Sequence, residues 1–389
     1  MKKLHIINLG KMGGVERLFL QYINDFSDGR DDVICISNEI DDDIRRHIPQ
    51  QKIIFANRWL NNLKIKVPQF LRKYLLQKRV ESSDADVIVV WDLIPGLSAK
   101  PERASLVYYD HGCSWRYPKN KKTLGFMAML DGVISASYAS NRVMQLRFNL
   151  PCPHHVVINR IMVPQGIHSG IRTLNNPIRL GTAARQVSLK GISVALLALK
   201  ELRQRGRNVV LEIAGKGPDH DAFVALAKRL DISEFVTFSG FQHDIGAFFN
   251  RIDIYLSTPV TEPFGLSCME ALYFGVPVIF PMIDGQPEVV RHQQCGLGLI
   301  PSVTIDEHEK LTGIHVDFPY KIYDPVRDVM QDAKLVSHID CADAVDVLSQ
   351  HETYQQYSDT AKNWTAEHFD YALFKTEFND ALMDVIRKK

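Results

Sequence analysis

No CxxC pair occurs in the 389 residues: the six cysteines, Cys35, Cys113, Cys152, Cys268, Cys295 and Cys341, are scattered. That spacing argues against structural zinc and fits a reducing compartment. No stretch reaches the roughly 20 apolar residues that a spanning helix needs. The basic start, MKKLHIINLGKMGG, has a brief apolar run before two glycines and reads as a first strand, not a secretory signal. The expectation is a cytoplasmic protein, one able to lie peripherally on the inner face of the cytoplasmic membrane. No G-x-S-x-G elbow accompanies the serines, histidines and aspartates, which disfavours hydrolase chemistry. PCPHH at 151–155 mimics a metal tract but has no second spaced group, so it reads as a turn and no metal site is expected. Internal repeats and low-complexity tracts are also missing.

What is present has ordinary globular proportions, 46% apolar and 23% charged, in a length that suits two domains. The net charge of +1 hides an asymmetry: residues 1–175 hold 25 Lys/Arg against 16 Asp/Glu, whereas 176–389 hold 21 against 29. The first half is thereby suited to an anionic partner. Strand-like runs (KLHIINL, DVICIS, ADVIVVW, ASLVYYD, GVISAS) alternate with helical periods, the pattern of a parallel sheet covered on both faces. After a Gly/Pro/Asn-rich linker at 163–178 the alternation restarts with IRLGTA, VVLEIAG, FVTFSG, IDIYLS and VPVIF. The spacing predicts an α/β chain of two Rossmann-like parallel-sheet domains, 1–173 and 174–368, with a C-terminal helix over 369–389. Residues 301–340 read as an irregular, mildly acidic insertion.

The stretch 261-TEPFGLSCMEALYFGVPVIF-280 carries two carboxylates, Glu262 before a short helix and Glu270 inside it among apolar neighbours. Glu262 could be loop acidity. Glu270 is harder to dismiss, because a carboxylate in such company costs several kcal/mol unless it is hydrogen-bonded or at a cleft. The helix start offers the amides of Gly265, Leu266 and Ser267, suited to phosphate. Glu270 one turn on could accept two hydrogen bonds from a vicinal diol such as ribose, and Glu262 could take hydroxyls of a second sugar-like group. Upstream, Arg185 and Lys190 flank a strand-to-helix loop; isolated cations are usually for solubility, but Arg forks onto phosphate and Lys is a mobile point charge. Together the two sets describe a nucleotide-diphosphate site.

Other candidates are weaker. Lys216 in AGKGP could be a solvated loop charge, and Gly240–Phe241–Gln242 in FSGFQ could contact a base or simply turn the chain. Gly13 and Gly14, between the first strand and helix, depart from G-x-G-x-x-G yet permit close backbone approach. In YYDHGCSWRY, Asp110 and His111 stand beyond a strand; His111 could bond a sugar hydroxyl, move a proton, or only fix the turn. Residues 57–80 contain seven Lys/Arg, no acid, and many large apolar residues. A core helix with a basic solvated face is one reading; an interfacial segment on anionic lipid is the favoured one, ahead of nucleic acid.

With E-x7-E at Glu262 and Glu270, R-x4-K at Arg185 and Lys190, and AGKGP, FSGFQ, GGVER and VPQGIH in order, the chain resembles the bacterial retaining GT-B glycosyltransferases of family 4 (glycosyl transferases group 1), of the lipopolysaccharide or surface-polysaccharide type. The resemblance covers nearly the whole chain, and only the combination is specific. It implies a GT-B fold, two Rossmann-like domains facing across a cleft, with the last helix crossing back to the first. It implies that Glu270 holds ribose, Arg185 and Lys190 the diphosphate, Glu262 and the 265–267 amides the transferred sugar and nearby phosphate, while His111 touches that sugar and Gly13–Gly14 shape the cleft. Members generally need no metal and retain the anomeric configuration by a front-face route. Gln165 and His168 stand where the junction motif usually has Asn and Asp.

The function this implies is a metal-independent hexosyltransferase moving a sugar from a UDP- or GDP-sugar, its substrate and not a cofactor, to a glycan or lipid-linked acceptor in lipopolysaccharide or capsule. Two other readings are a nucleotide-sugar epimerase of related architecture and a non-catalytic glycan-binding protein. The intact paired motifs and the basic segment argue against both.

Overall fold

The computed structural model describes residues 1–25, 30–48, 52–61, 65–162, 166 and 170–388. It contains two compact units, Met1–Met162 with Tyr371–Lys389, and Val163–Asp370.

The first unit is built on a seven-stranded parallel sheet: β1 (Lys3–Ile7), β2 (Asp32–Cys35), β3 (Ile53–Phe55), β4 (Val87–Trp91), β5 (Ser105–Asp110), β6 (Gly132–Ser135) and β7 (His154–Val156), in the order β3-β2-β1-β4-β5-β6-β7. Its central strands are buried at every residue, as a sheet covered on both faces requires. PCPHH is a turn only in part: Pro151 and Cys152 bend the chain, whereas His154 and His155 form the edge strand and His155 Nε2 lies 3.0 Å from Asp384. The helix Tyr371–Lys388 buries Phe374, Phe378, Ala381, Leu382 and Val385, one stripe at helical spacing. Phe378 packs on Tyr22, Trp91 and Tyr109, and Arg160 grips Glu377 through both guanidinium nitrogens.

The second unit holds a six-stranded parallel sheet: β8 (Ile178–Ala183), β9 (Val209–Ala214), β10 (Val236–Gly240), β11 (Ile254–Leu256), β12 (Val278–Pro281) and β13 (Gly296–Leu299), in the order β10-β9-β8-β11-β12-β13. In both sheets the chain winds outward, returns to the starting strand and winds the other way. The reversal lies between β1 and β4 in the first sheet and between β8 and β11 in the second. Ligands of such sheets bind at that reversal, beyond the strands' carboxyl ends.

The expectation of an irregular 301–340 is wrong. That segment contains β14 (Val303–Thr304), the helix Ile305–Thr312, the hairpin β15 (Lys321–Asp324) with β16 (Val329–Asp332), and β17 (Lys334–Leu335), which pairs with β14. Ile314, Val316, Phe318, Ile322, Leu335 and Val336 belong to the core of the second unit. The signal was local and overlooked: Thr304 and Glu307 form a capping box, with Gly313 ending the helix.

Candidate functional site

In the second unit the residues singled out from sequence gather at the reversal point. β8 runs out into a loop carrying Arg185 and a single helical turn, Ser188–Lys190, before the helix Ile192–Gln204. β11, on the other side of the reversal, runs out into the turn carrying Glu262 and the helix Leu266–Tyr273. The two loops meet: Lys190 Nζ donates to Glu262 Oε2 at 2.7 Å. They are also held by backbone, with Val260 N–H donating to the Leu189 carbonyl and the Thr258 hydroxyl to that of Gly191. Tyr255 closes the reversal from beneath, its hydroxyl donating to the Ala183 carbonyl at 3.0 Å and accepting from the Ala183 N–H at 3.3 Å.

Arg185 is exposed and has no ion pair among the described residues. The residue beside it, missed by sequence reasoning, is the organiser of this edge. Gln186 is fully buried, its amide donating to the Gly215 carbonyl and its Oε1 lying 2.7 Å from His220 Nδ1. Gly215 N–H in turn donates to the Gly240 carbonyl at 2.7 Å. The loops after β8, β9 and β10 are thus laced together, bringing Arg185, the exposed Lys216 and the Gly240–Phe241 turn to one edge. Phe241 is half exposed, its ring against His243.

Glu270 sits on the second turn of the helix Leu266–Tyr273 and is only 3% exposed. Gly265 is that helix's N-cap, so the amides of Leu266 and Ser267 fall in the first turn, where no intrahelical acceptor exists. The positive end of the helix and the Lys190 ammonium therefore converge beside Glu262, a setting that favours a bound anion.

Gly13, Gly14 and His111 lie in the first unit, at the carboxyl edge of its sheet. The helix Gly14–Asp25 follows directly on the glycines. The room they leave is partly taken: a Cβ at Gly13 would stand 2.8 Å from Glu16 Oε2. Burial pushes the Glu16 carboxyl up to about 7. Asp110 and His111, read together from sequence, separate in role. Asp110 is fully buried and accepts from Gly112 N–H, Ser114 N–H and the Ser114 hydroxyl, so it builds the turn. Burial, with the charge of Asp92, raises its carboxyl to about 7.

The His111 ring stacks on Trp91 with 10° between planes and sits 4.1 Å from Tyr109, while the backbone N–H of His111 donates to the Asp92 carboxylate. Neither ring nitrogen has a hydrogen-bond partner among the described residues. Burial holds the imidazole down to about 4, so it is neutral at pH 7 and meets a ligand as a hydrogen-bonding group, not as a cation. The junction turn with Gln165 and His168 lies outside the described residues.

Residues 170–312 match the glycosyl transferases group 1 family, a span that includes Arg185, Lys190, Gly240, Phe241, Glu262, Gly265, Leu266, Ser267 and Glu270. A glycosyltransferase of Haemophilus influenzae, itself uncharacterised, is 24% identical over 308 residues, 76% of this chain and 85% of the relative. The lipopolysaccharide core biosynthesis glycosyltransferase LpsD of Rhizobium meliloti is 23% identical over 76% of this chain and 83% of its own. Among solved structures, HepE of Anabaena in complex with UDP and glucose superposes with a TM-score of 0.74 at 18% identity, covering 99% of this chain and 100% of HepE. Two Rossmann-like parallel-sheet domains, aligned end to end with that structure, give this chain the GT-B glycosyltransferase fold, and its residues 170–312 are similar to the glycosyl transferases group 1.

Proposed function

We propose that this protein transfers a sugar from a UDP- or GDP-sugar to a growing surface glycan, with retention of configuration and without a metal. The observation that carries the reading is the meeting of Lys190 and Glu262 at 2.7 Å, from the two loops that flank the sheet reversal, beside the amino end of the helix bearing Glu270. An ammonium has three donors, so Lys190 can keep Glu262 and still hold a phosphate oxygen. Arg185 is free to fork onto the diphosphate, and both cations stabilise the charge that develops as it leaves. Glu270 accepts from the ribose hydroxyls; Glu262 and the 265–267 amides address the sugar and its phosphate. Neutral His111, at the carboxyl edge of the first unit's sheet, offers its ring nitrogens to a sugar hydroxyl. The front-face route asks for no carboxylate nucleophile, which suits a Glu262 already engaged by Lys190.

Relatives named for UDP, UDP-glucose and lipopolysaccharide core synthesis support the donor class and the acceptor class. The test is a donor screen by thermal stabilisation of the purified chain. At a hundredfold excess over Kd a ligand adds about 2.7 kcal/mol, or roughly 5–10 °C in the melting temperature of a unit of this size. A rise with one uridine or guanosine nucleotide sugar is expected; no rise with any of them would end the proposal.

For the acceptor, the first unit offers a cavity of about 420 Å³ lined by Gly10, Ser37, Asn38, Glu39 and Lys66, beyond β1 and β2. Lys66 joins this cavity to an exposed basic and aromatic surface. Trp59, Leu60 and Ile65 are exposed there, and on the helix Gln69–Glu81 Phe70 is 79% and Tyr74 62% exposed. The structure also sorts the cations of 57–80. Arg58, Arg72 and Arg79 donate to backbone carbonyls of the fold, whereas Lys66, Lys73 and Lys78 face solvent; Lys64 is outside the described residues. We therefore assign peripheral contact with anionic lipid to the lysines and exposed aromatics. At about 1 kcal/mol per cation, Lys66→Ala with Lys73→Ala is expected to weaken sedimentation with phosphatidylglycerol vesicles by roughly 30-fold while leaving the fold intact. Unchanged sedimentation would remove the membrane from the proposal.

A further inference from the structure

Asp284 lies in the loop after β12, and nothing proposed above uses it. Its side chain is fully buried and its backbone is left-handed, φ +48°, a region that an L side chain rarely adopts and that glycine enters freely. A residue that is strained in its backbone and buries a charge is retained only where something offsets both costs. The offset is visible. One carboxylate oxygen accepts from the Thr261 hydroxyl at 2.7 Å and from the Glu262 N–H at 2.9 Å. The other accepts from the Tyr323 N–H at 2.9 Å, and the Asp284 N–H donates to the Tyr323 carbonyl.

These bonds join the turn that carries Glu262 to β15 of the hairpin. The next residue continues the clamp: at Gly285 a Cβ would stand 2.0 Å from the Pro263 carbonyl oxygen, so only glycine lets the loop press against that turn. Gln286 then donates to the Ser257 hydroxyl at 2.6 Å, at the exit of β11. The turn holding Glu262 is thus fixed from behind by a loop 22 residues further along the chain.

We propose that Asp284 is a positioning residue for Glu262, and that through it the β15–β16 hairpin sets where Glu262 meets the donor sugar. Resting on the nucleotide-sugar reading, the inference adds to it the element that tunes which hexose is accepted. Asp284 does not touch the donor; it fixes the backbone from which Glu262 projects. Asn at this position is nearly isosteric but cannot restore the pattern. With its amide nitrogen towards Thr261, the hydroxyl can turn and accept, but the Glu262 N–H then faces a donor. With the nitrogen towards Tyr323, that N–H is the one left unpaired.

The experiment compares wild type, Asp284→Asn, Asp284→Gly and Thr261→Val by calorimetric titration with UDP, UDP-glucose, GDP and GDP-mannose, alongside backbone hydrogen exchange over 261–265 and 321–324. A loss of general stability would weaken nucleotide and nucleotide sugar alike. Positioning makes a different demand: in both Asp284 variants the free diphosphate keeps its affinity within about twofold, while the matching nucleotide sugar weakens by roughly tenfold or more, the scale of a misplaced contact. Exchange rises at both segments, and Thr261→Val, which spares the Glu262 N–H, falls between. Equal weakening of diphosphate and nucleotide sugar overturns the proposal, as does unchanged exchange. If wild type binds none of the uridine or guanosine nucleotide sugars of the donor screen, the donor reading fails on its own; raised exchange in Asp284→Asn then retains the clamp, and unchanged exchange removes it.

Discussion

Lys190→Ala is expected to lower turnover by roughly 10²-fold or more, the scale of one lost electrostatic contact to charge that develops in the transition state. Two effects combine. The leaving diphosphate loses the only one of the two candidate cations that is held in place by its surroundings, since Arg185 is exposed whereas Lys190 is tied to Glu262 at 2.7 Å. Glu262, which is mostly shielded from solvent, is also left without the ammonium that compensates it. Because the missing charge matters most when the diphosphate departs, kcat falls more than KM rises. Lys190→Arg keeps a cation but brings a planar fork in place of a compact ammonium, and only partial recovery is expected. The measurement is steady-state turnover with whichever donor the screen identifies; a Lys190→Ala rate within threefold of wild type would sink the assigned role.

Gly191→Ala is expected to be the most destabilising single methyl group that can be added to this edge. Gly191 has φ +63°, and a Cβ there would lie 1.8 Å from the Thr258 carbonyl oxygen and 2.7 Å from its carbon. A side chain in the left-handed region costs about 1–2 kcal/mol, and overpacking a close-packed site adds about 1–3 kcal/mol. The obstacle is backbone at the exit of β11, so it cannot swing away as a flexible side chain would. A total near ~3 kcal/mol corresponds to a fall of about 6–12 °C for a unit of 150–250 residues. Differential scanning calorimetry reads this directly, and a melting temperature within 2 °C of wild type, a shift below about 1 kcal/mol, would show that the loop adapts. The two variants separate chemistry from architecture: Lys190→Ala should lose far more in turnover than in melting temperature, whereas Gly191→Ala should show its main effect in early melting.

Much of this was legible locally. The strands announce themselves as buried runs, VIVVW and SLVYYD among them, because a sheet covered on both faces needs no polar side. Arg185, Lys190, Glu262 and Glu270 could be picked out because each breaks the pattern of its own few neighbours at a strand end. The 301–340 segment was misread for the opposite reason. Its core residues come from short strands and from an extended stretch outside any strand, Ile314, Val316 and Phe318, whose alternation is too brief to stand out, and the capping box was the other local sign. In 57–80 the composition is plain from the sequence, but the division of labour among its cations is not. Whether an arginine reaches a carbonyl or solvent depends on what lies opposite, as it does for Arg79 with the carbonyls of Phe55 and Arg58.

The sequence by itself determined the two parallel sheets, the order of the motif residues along the chain, and the chemistry that those residues can offer. These follow from hydrophobic period, turn residues and side-chain type, all readable within a dozen positions. Tertiary structure alone decided that Lys190 holds Glu262, that Gln186 laces three loops together, that His111 is neutral between Trp91 and Tyr109, and that Asp284 fixes the Glu262 turn. Lys190 and Glu262 meet across the reversal of strand order, 72 residues apart in sequence, while the others meet across neighbouring strands of one sheet, as Asp284 does with the Glu262 turn 22 residues away. Hydrogen bonds and burial act over a few ångströms of space, and only the folded sheet converts those separations in sequence into such distances.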